Sequence, residues 1–336
     1  MTEVRSPQRE LAPDIVGSVK RKPTSLRGIA DKAKADKEHR FRDLYGCLNV
    51  ELLLDCWGDL NKDAASGVDG VTWQEYAENL QANVEALVER LKKKRYRAKL
   101  IRRQYIPKEN GKERPLGIPV IEDKLLQAGC ARVLNAIYEQ EFLAISYGYR
   151  PERGAGDAVR DLTFDLQYGR YGYVVEADIK GFFDHMDHDW VLEMLRLRID
   201  DRAFLGLIRK WLKAGILETD GRVIHPDTGV PQGGVVSPVL ANVYLHYALD
   251  LWFEKVVKPH CRGEALIIRY ADDFVCAFRY RSDAERFYQE LPKRLGKFKL
   301  EVSLEKTRIL RFSRFHPGMK RRFSFFGLRI FLERRP

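Results

Sequence analysis

Three observations predict an α+β fold for this 336-residue sequence. Strand and helix patterns are mixed along the chain and do not alternate as regular βαβ units. A buried strand, Tyr173–Asp178 (YVVEAD), ends in a carboxylate and is followed by two helical patterns. Two apolar runs, Ala265–Tyr270 and Phe274–Phe278, flank an Asp272-Asp273 turn as the arms of an antiparallel hairpin would. Hydrophobic residues make up 45 % of the chain, enough for a sizeable core, and the length suits one large domain or two to three lobes.

Taken in order, residues up to about Lys37 are polar and basic with prolines at 7, 13 and 23, and are expected to be a loosely ordered arm. A helix is expected from near Phe41 through Leu53, then a turn-rich break at Ala64–Asp69, then a second helix from Trp73 to about Lys94. Asn110-Gly111 lies between two extended runs within Tyr105–Pro119 and predicts a β-hairpin. Glu122 to about Phe142 has a helical pattern, as do Trp190–Leu197, Arg202–Leu212 and the apolar stretch Ser237–Val257. Asp220-Gly221 marks another hairpin, and Ser282-x-x-Glu285 has the spacing of a capping box that opens a helix. Thr307–Phe312 and Phe323–Phe331 are expected as closing strands.

The 59 Lys and Arg outweigh the 48 Asp and Glu, a net charge of +11 that favours a polyanionic partner. The excess is concentrated. Nine basic residues and no acid lie between Arg90 and Arg103, among them Lys92, Lys93, Lys94, Arg95 and Arg97, with Tyr96 in their midst. Ten more run from Lys306 to the end against a single acid, Glu333. Two separated blocks fit a phosphate backbone touched in more than one place, although a charge run is also the ordinary composition of a solvated face. The five cysteines have no paired spacing and no nearby histidine cluster, so neither zinc nor a disulfide framework is expected. The charged amino-terminal stretch is not expected to be a signal segment, and no apolar run approaches the roughly 18 residues of a membrane span. A cytoplasmic protein is expected.

The chemistry concentrates in three carboxylates. Asp178 leaves a strand, and Asp272-Asp273 sits at a hairpin tip between Ile267-Ile268 and Phe274-Val275. Asp is depleted from strands, and acids gathered at apolar strand ends repel and lose hydration unless a cation neutralises them. Asp-Asp in a tight turn can be plain turn chemistry, but a surface turn needs no such apolar walls. Two Mg²⁺ ions, about 3.5–4 Å apart, would take oxygen ligands here, activate an attacking hydroxyl and stabilise a leaving pyrophosphate.

RYADDF resembles the catalytic hairpin of reverse transcriptases, in the form typical of group II intron-encoded proteins. Further blocks follow in that family's order: LYGCLNVELL with AASGVDGVTW, RRQYIPKENGKERPLGIPVIEDKLLQ, SYGYRPERGAGDAV, VVEADIKGFFDHMDHDWVLEML, GVPQGGVVSPVLANVYLHYALD, VSLEKTRILRF and FSFFGLRIF. The resemblance covers roughly residues 41–331. It implies the fingers and palm of a right-hand polymerase, the palm an antiparallel sheet backed by helices: an arm at 1–40, fingers at 41–125, and palm with the remaining finger helices at 126–336. It implies an RNA-directed DNA polymerase, a nucleotidyl transferase using two Mg²⁺ ions (Mn²⁺ able to substitute), an RNA template with a DNA primer, dNTPs, and the chain's own intron RNA.

Residue by residue, the resemblance assigns the metals to Asp178, Asp272 and Asp273 with the backbone carbonyl of Ile179. It assigns the incoming triphosphate to Lys108 and Arg114, the nucleotide site beside the template to Gln232, and the gate against a ribose 2′-hydroxyl to Phe183. Phe182 is adjacent, and only one of the two rings can face the site. Lys306 would assist the leaving pyrophosphate. Proteins of this family usually continue into a helical thumb, also called domain X or the maturase domain, and the sequence is expected to lack it because Pro336 follows directly on the last block. Two other readings are open: a host-adapted relative serving defence or CRISPR spacer acquisition, and an RNA-binding maturase module whose polymerase activity is dispensable.

Overall fold

The computed structural model describes residues 25–107, 111, 113–312, 322–325 and 328–331. The first part of the chain forms α1 (Leu26–Ala35), α2 (Val50–Trp57), α3 (Trp73–Glu78), α4 (Leu80–Lys92), β1 (Ile101–Pro107), β2 (Glu113–Ile118), α5 (Ile121–Tyr138) and α6 (Ala155–Tyr168). Then come β3 (Tyr173–Ala177), α7 (Phe182–His185), α8 (His188–Arg196), α9 (Arg202–Leu212), β4 (Ile216–Leu217), β5 (Val223–Ile224), α10 (Ser237–Leu245) and α11 (Lys258–His260). The last are β6 (Ala265–Tyr270), β7 (Asp273–Phe278), α12 (Arg281–Gly296), β8 (Arg308–Arg311), β9 (Arg322–Phe325) and β10 (Leu328–Phe331).

The central sheet has the order β6-β7-β3-β8, with every neighbouring pair antiparallel. Both of its faces are covered. Val175, Ile267 and Cys276 belong to one core with Phe287, Leu291 and Leu295 of α12. Val174, Ile268 and Val275 belong to the other, with Leu162 and Leu166 of α6 and Phe323 of β9. Burial on both faces is why these strands are continuous apolar runs rather than alternating ones. Each buried Val, Ile, Leu or Phe contributes about 1.5–3 kcal/mol. The sheet is therefore the part of the fold best able to offset charged groups at its rim.

A second sheet has the order β2-β1-β4-β5. β1 and β2 form the antiparallel hairpin that Asn110-Gly111 predicts, and Gly111 has the positive φ, 75°, that such a turn needs. β4 joins β1 in parallel, Ile101 facing Ile216, and returns through Asp220-Gly221 to β5.

Several sequence expectations are corrected. The arm expected up to Lys37 contains α1, capped by Ser25 and burying Ile29 and Ala33 against α5. Leu26, Ile29 and Ala33 have helical spacing, masked in the sequence by their polar neighbours. The helix expected from Phe41 begins only at Val50, where the Asn49 side chain accepts from the Leu52 amide at 2.9 Å. Phe41 instead bridges Ile199, its amide donating to the Arg198 carbonyl at 2.7 Å. The helix from Trp73 is interrupted at Asn79. Ser282-x-x-Glu285 is not a capping box, since α12 opens one residue earlier and Glu285 pairs with Arg281. A true capping box stands at Thr72-x-x-Glu75: the Glu75 amide donates to Thr72 Oγ1 (3.2 Å) and the Thr72 amide to Glu75 Oε2 (2.8 Å). The apolar stretch Ser237–Val257 is helical, but His246–Asp250 and Phe253–Val257 are wound as wider π turns.

Candidate active site

The register of the central sheet brings the three carboxylates together. β3 and β7 pair Tyr173 with Phe278 and so on to Ala177 with Phe274. Asp178 follows directly on the last paired residue of β3, near enough to Asp272 and Asp273 to act on both carboxyls. β6 and β7 close through Tyr270 opposite Asp273, so Ala271 and Asp272 form the tip. Ala271 takes the left-handed conformation (φ 55°), which costs a residue with a Cβ about 1–2 kcal/mol. The turn is tight on its other side as well, because a Cβ on Gly148 would stand 2.3 Å from the Ala271 nitrogen. Only glycine lets the segment before α6 lie against the turn.

The electrostatics are those of acids crowded out of water. Burial is the main force pushing the Asp273 carboxyl up to about 6, and Asp272 and Asp178 add to it. Burial likewise raises the Asp272 carboxyl and Asp178 raises it further, while Arg114 and Arg269 draw it back. Lys306 donates to Asp178 Oδ2 at 2.9 Å. That hydrogen bond, helped by the charges of Asp178, Asp273 and Asp272, raises the ammonium's own pKa. With Lys306 68 % exposed, the pair is screened by water and worth under about 1 kcal/mol. Among the described residues no three His, Cys, Asp or Glu side chains, Asp178, Asp272 and Asp273 included, are grouped closely enough to hold a metal ion by themselves. The donor chemistry, carboxylate oxygens facing one cationic partner, fits a hard divalent ion that completes its shell with water and substrate phosphates.

The other expected residues lie as follows. Asp178 is fixed through its backbone, its carbonyl accepting from the Ser303 amide at 2.8 Å, and Ile179 is buried and bridges Val302. Phe182 is buried against Tyr244, ring centroids 6.1 Å apart, whereas Phe183 is only partly buried. The Phe183 carbonyl accepts from the Val230 amide at 2.8 Å, and the Gln232 carbonyl from the Gly117 amide of β2 at 2.8 Å. The loop 229–234 thus ties the segment after β3 to the base of the hairpin. Gly233 has φ 118°, and a Cβ there would stand 2.7 Å from the Gly117 oxygen. Arg114 is exposed on β2, close enough to Asp272 to influence it. Lys108 lies outside the described residues.

The basic block divides in two. Lys92, Lys93, Lys94, Arg95 and Arg97 are all exposed, with Lys93 also pairing with Glu89 at 2.9 Å. The remaining four are engaged within the fold: Arg90 with Glu122, Lys99 with Asp69, Arg103 with Glu218, and Arg102 with the Ser66 carbonyl. Tyr96 anchors the stretch, its hydroxyl donating to Asp123 at 2.6 Å and accepting from Trp211 at 2.8 Å.

Sequence reasoning missed three features of the site. Tyr149, in the left-handed conformation (φ 58°), has a hydroxyl whose pKa is raised by burial and by Asp272. Glu176, two residues before Asp178, pairs with Arg308 at 2.8 Å and adds to the field on Asp273. Arg269, in the same RYADDF run as the acids, is fully buried against Asp250. The signal available was its place three residues before Asp272 on an otherwise apolar strand.

The family model described as reverse transcriptase (RNA-dependent DNA polymerase) matches residues 106–330. The chain is 32 % identical over 298 residues to Protein YkfC of Escherichia coli, covering 80 % of this chain and 76 % of that protein. It is 34 % identical over 229 residues to the group II intron-encoded protein LtrA of Lactococcus lactis, covering 67 % of this chain but 38 % of LtrA. Among solved structures, the apo telomerase of Candida tropicalis truncated from its C-terminal domain superposes with a TM-score of 0.52 at 15 % identity, over 70 % of this chain and 53 % of that one. That likeness speaks to the fold, and it agrees with fingers around a palm sheet. No helix among the described residues is long and apolar enough to cross a membrane. The chain belongs to the reverse transcriptase (RNA-dependent DNA polymerase) family and is similar to group II intron-encoded proteins.

Proposed function

We propose that the chain is an RNA-directed DNA polymerase that adds deoxynucleotides to a DNA primer on an RNA template, with intron RNA as its natural template. The observation that carries this reading is the sheet register that ends β3 at Ala177 opposite Phe274, which leaves Asp178 near enough to Asp272 and Asp273 to act on both carboxyls. Two bound divalent ions, Mg²⁺ in the first instance, would activate the primer hydroxyl and stabilise the leaving pyrophosphate. The chain's own residues do the rest. Asp178, Asp272 and Asp273 supply the carboxylate oxygens, with the Ile179 carbonyl beside them. Arg114 and Lys108 hold the triphosphate, as cations placed where charge develops. Lys306 passes from Asp178 to the departing phosphates. Phe183 lies under the sugar, Gln232 beside the templating base, and the exposed Lys92–Arg97 face follows the phosphate backbone.

Extension of a DNA primer on an RNA template with Mg²⁺ and dNTPs tests this directly. Template-dependent addition is expected in the parent, with a loss on the order of a thousandfold in Asp272→Asn. A chain that binds RNA but adds no nucleotide with either Mg²⁺ or Mn²⁺ would instead be an RNA-binding maturase module.

A further inference from the structure

The carboxylate turn is gripped from beneath by a polar network inside an apolar core. Arg269 is fully buried, as is Asp250, and Asn242 is 1 % exposed. The guanidinium donates to both Asp250 oxygens, from Nε at 2.8 Å and from Nη2 at 2.6 Å. Its Nη1 donates to Asn242 Oδ1 at 3.0 Å and to the Ala271 carbonyl at 2.8 Å. Asn242 in turn donates to the Gly148 carbonyl at 2.8 Å, on the segment that lies against Ala271. Asp250 ends the wide turn His246–Asp250, a winding that often marks functional positions within helices.

A buried ion pair is a weak source of stability, because lost hydration offsets its attraction and matched apolar residues often do as well. This network does something an apolar pair cannot: it holds the carbonyl of a strained left-handed residue. Its planar fork reaches Asp250 and Ala271 together, which one ammonium could not. The guanidinium is also one of the charges that draw the Asp272 carboxyl back down.

We propose that Arg269, held by Asp250 and Asn242, is the positioning residue of the carboxylate turn, fixing Ala271 so that Asp272 and Asp273 present their oxygens to a divalent cation alongside Asp178. The proposal rests on the reading of these carboxylates as the metal-binding site.

The test compares the full-length parent with Arg269→Lys, with the double variant Arg269→Met/Asp250→Leu, and with Asp272→Asn as reference. Folding is followed by circular dichroism and thermal unfolding, Mn²⁺ affinity by electron paramagnetic resonance on the protein with metal alone, and single-nucleotide addition by kcat and KM for dNTP. The double variant leaves no uncompensated buried charge and should fold. It should bind Mn²⁺ at least about tenfold more weakly and lose about a hundredfold in kcat, with KM within about threefold because the phosphate-binding residues are untouched. Arg269→Lys should fall between it and the parent. Parental Mn²⁺ affinity and kcat in either folded variant, whatever its melting temperature, would overturn the proposal and leave Arg269 a structural residue. Should the double variant not fold, Arg269→Lys decides alone. Parental activity in Asp272→Asn would sink the underlying site reading instead.

Discussion

The carboxylates at the rim of the palm sheet and the cations in and after the last turn of α4 differ in what the fold asks of them. The acids are drawn in from water, Asp178 raising the carboxyls of Asp272 and Asp273, and need the apolar bulk of a sheet buried on both faces to hold them there. The cations stand outside at little cost, and four of the nine serve the fold rather than any partner. A cluster that costs stability is better evidence of function than a cluster that is merely solvated.

The largest expected effect breaks the comparison if it fails. Asp272→Asn should lower nucleotide addition by on the order of a thousandfold, about 4 kcal/mol of transition-state stabilisation. The melting temperature should hold or rise, since the substitution removes a charge that burial disfavours. A fall in both would make the carboxylate structural. The two phenylalanines sharpen the same contrast. Phe182→Ala empties a buried ring site beside Tyr244 and should cost about 3–5 kcal/mol of stability by denaturant unfolding. Phe183→Ala should cost less and raise the incorporation of rNTP relative to dNTP on one template. A shift in that ratio from Phe182→Ala alone would reverse the assignment of the rings.

On the basic side, reversing Lys92, Lys94 and Arg95 to Glu should leave stability within about 0.5 kcal/mol. The slope of log affinity against log salt for primer–template should fall by about one for each phosphate the chain no longer neutralises. Arg103→Ala should do the opposite, loosening the hairpin base at Glu218 with little change in salt slope. A further effect is on pH. The Asp123 carboxyl, buried beneath Tyr96, is pushed up from 3.8 to about 6, mainly by burial. The folded chain therefore binds this proton more tightly than the unfolded one. Ionised and buried, Asp123 costs up to about 3 kcal/mol above pH 6, a cost relieved as pH falls through about 6 toward 4. Asp123→Asn should flatten that limb of the stability profile, read as melting temperature against pH.

The palm was legible because its strands are short, mainly apolar runs closed by charged residues; β6 begins and ends where expected. The acids were legible for the same reason, as charges where an apolar pattern leaves no room for them. What the sequence hid was non-local. Two Ser/Thr-x-x-Glu runs have the same spacing, yet only Thr72 caps a helix. In the first turn of α12, Asp283 instead turns back to accept from the Arg262 and Gly263 amides of another loop. Arg269 finds its partner Asp250 through an intervening wide turn, and no spacing rule anticipates that. Tyr149 and Gly148 meet the carboxylate turn because the segment before α6 bridges β6 at Ser146 and Arg269, a tertiary contact.

The hairpin β1–β2 is pinned at its base. Gly117 bonds the Gln232 carbonyl and has no room for a Cβ between Ile101 and Pro231, while Arg103 and Tyr105 share Glu218. Arg114 rides three residues up the strand, about 10 Å away at the usual rise of an extended chain. The hairpin is thus a short lever with its fulcrum on the loop 229–234. A tilt of about 10° at that fulcrum carries Arg114 through about 2 Å, the difference between a made and a broken hydrogen bond to a phosphate. A substitution at Pro231 or Gly233, which touch neither triphosphate nor template in this reading, would be felt as a misplaced guanidinium at the far end of the lever.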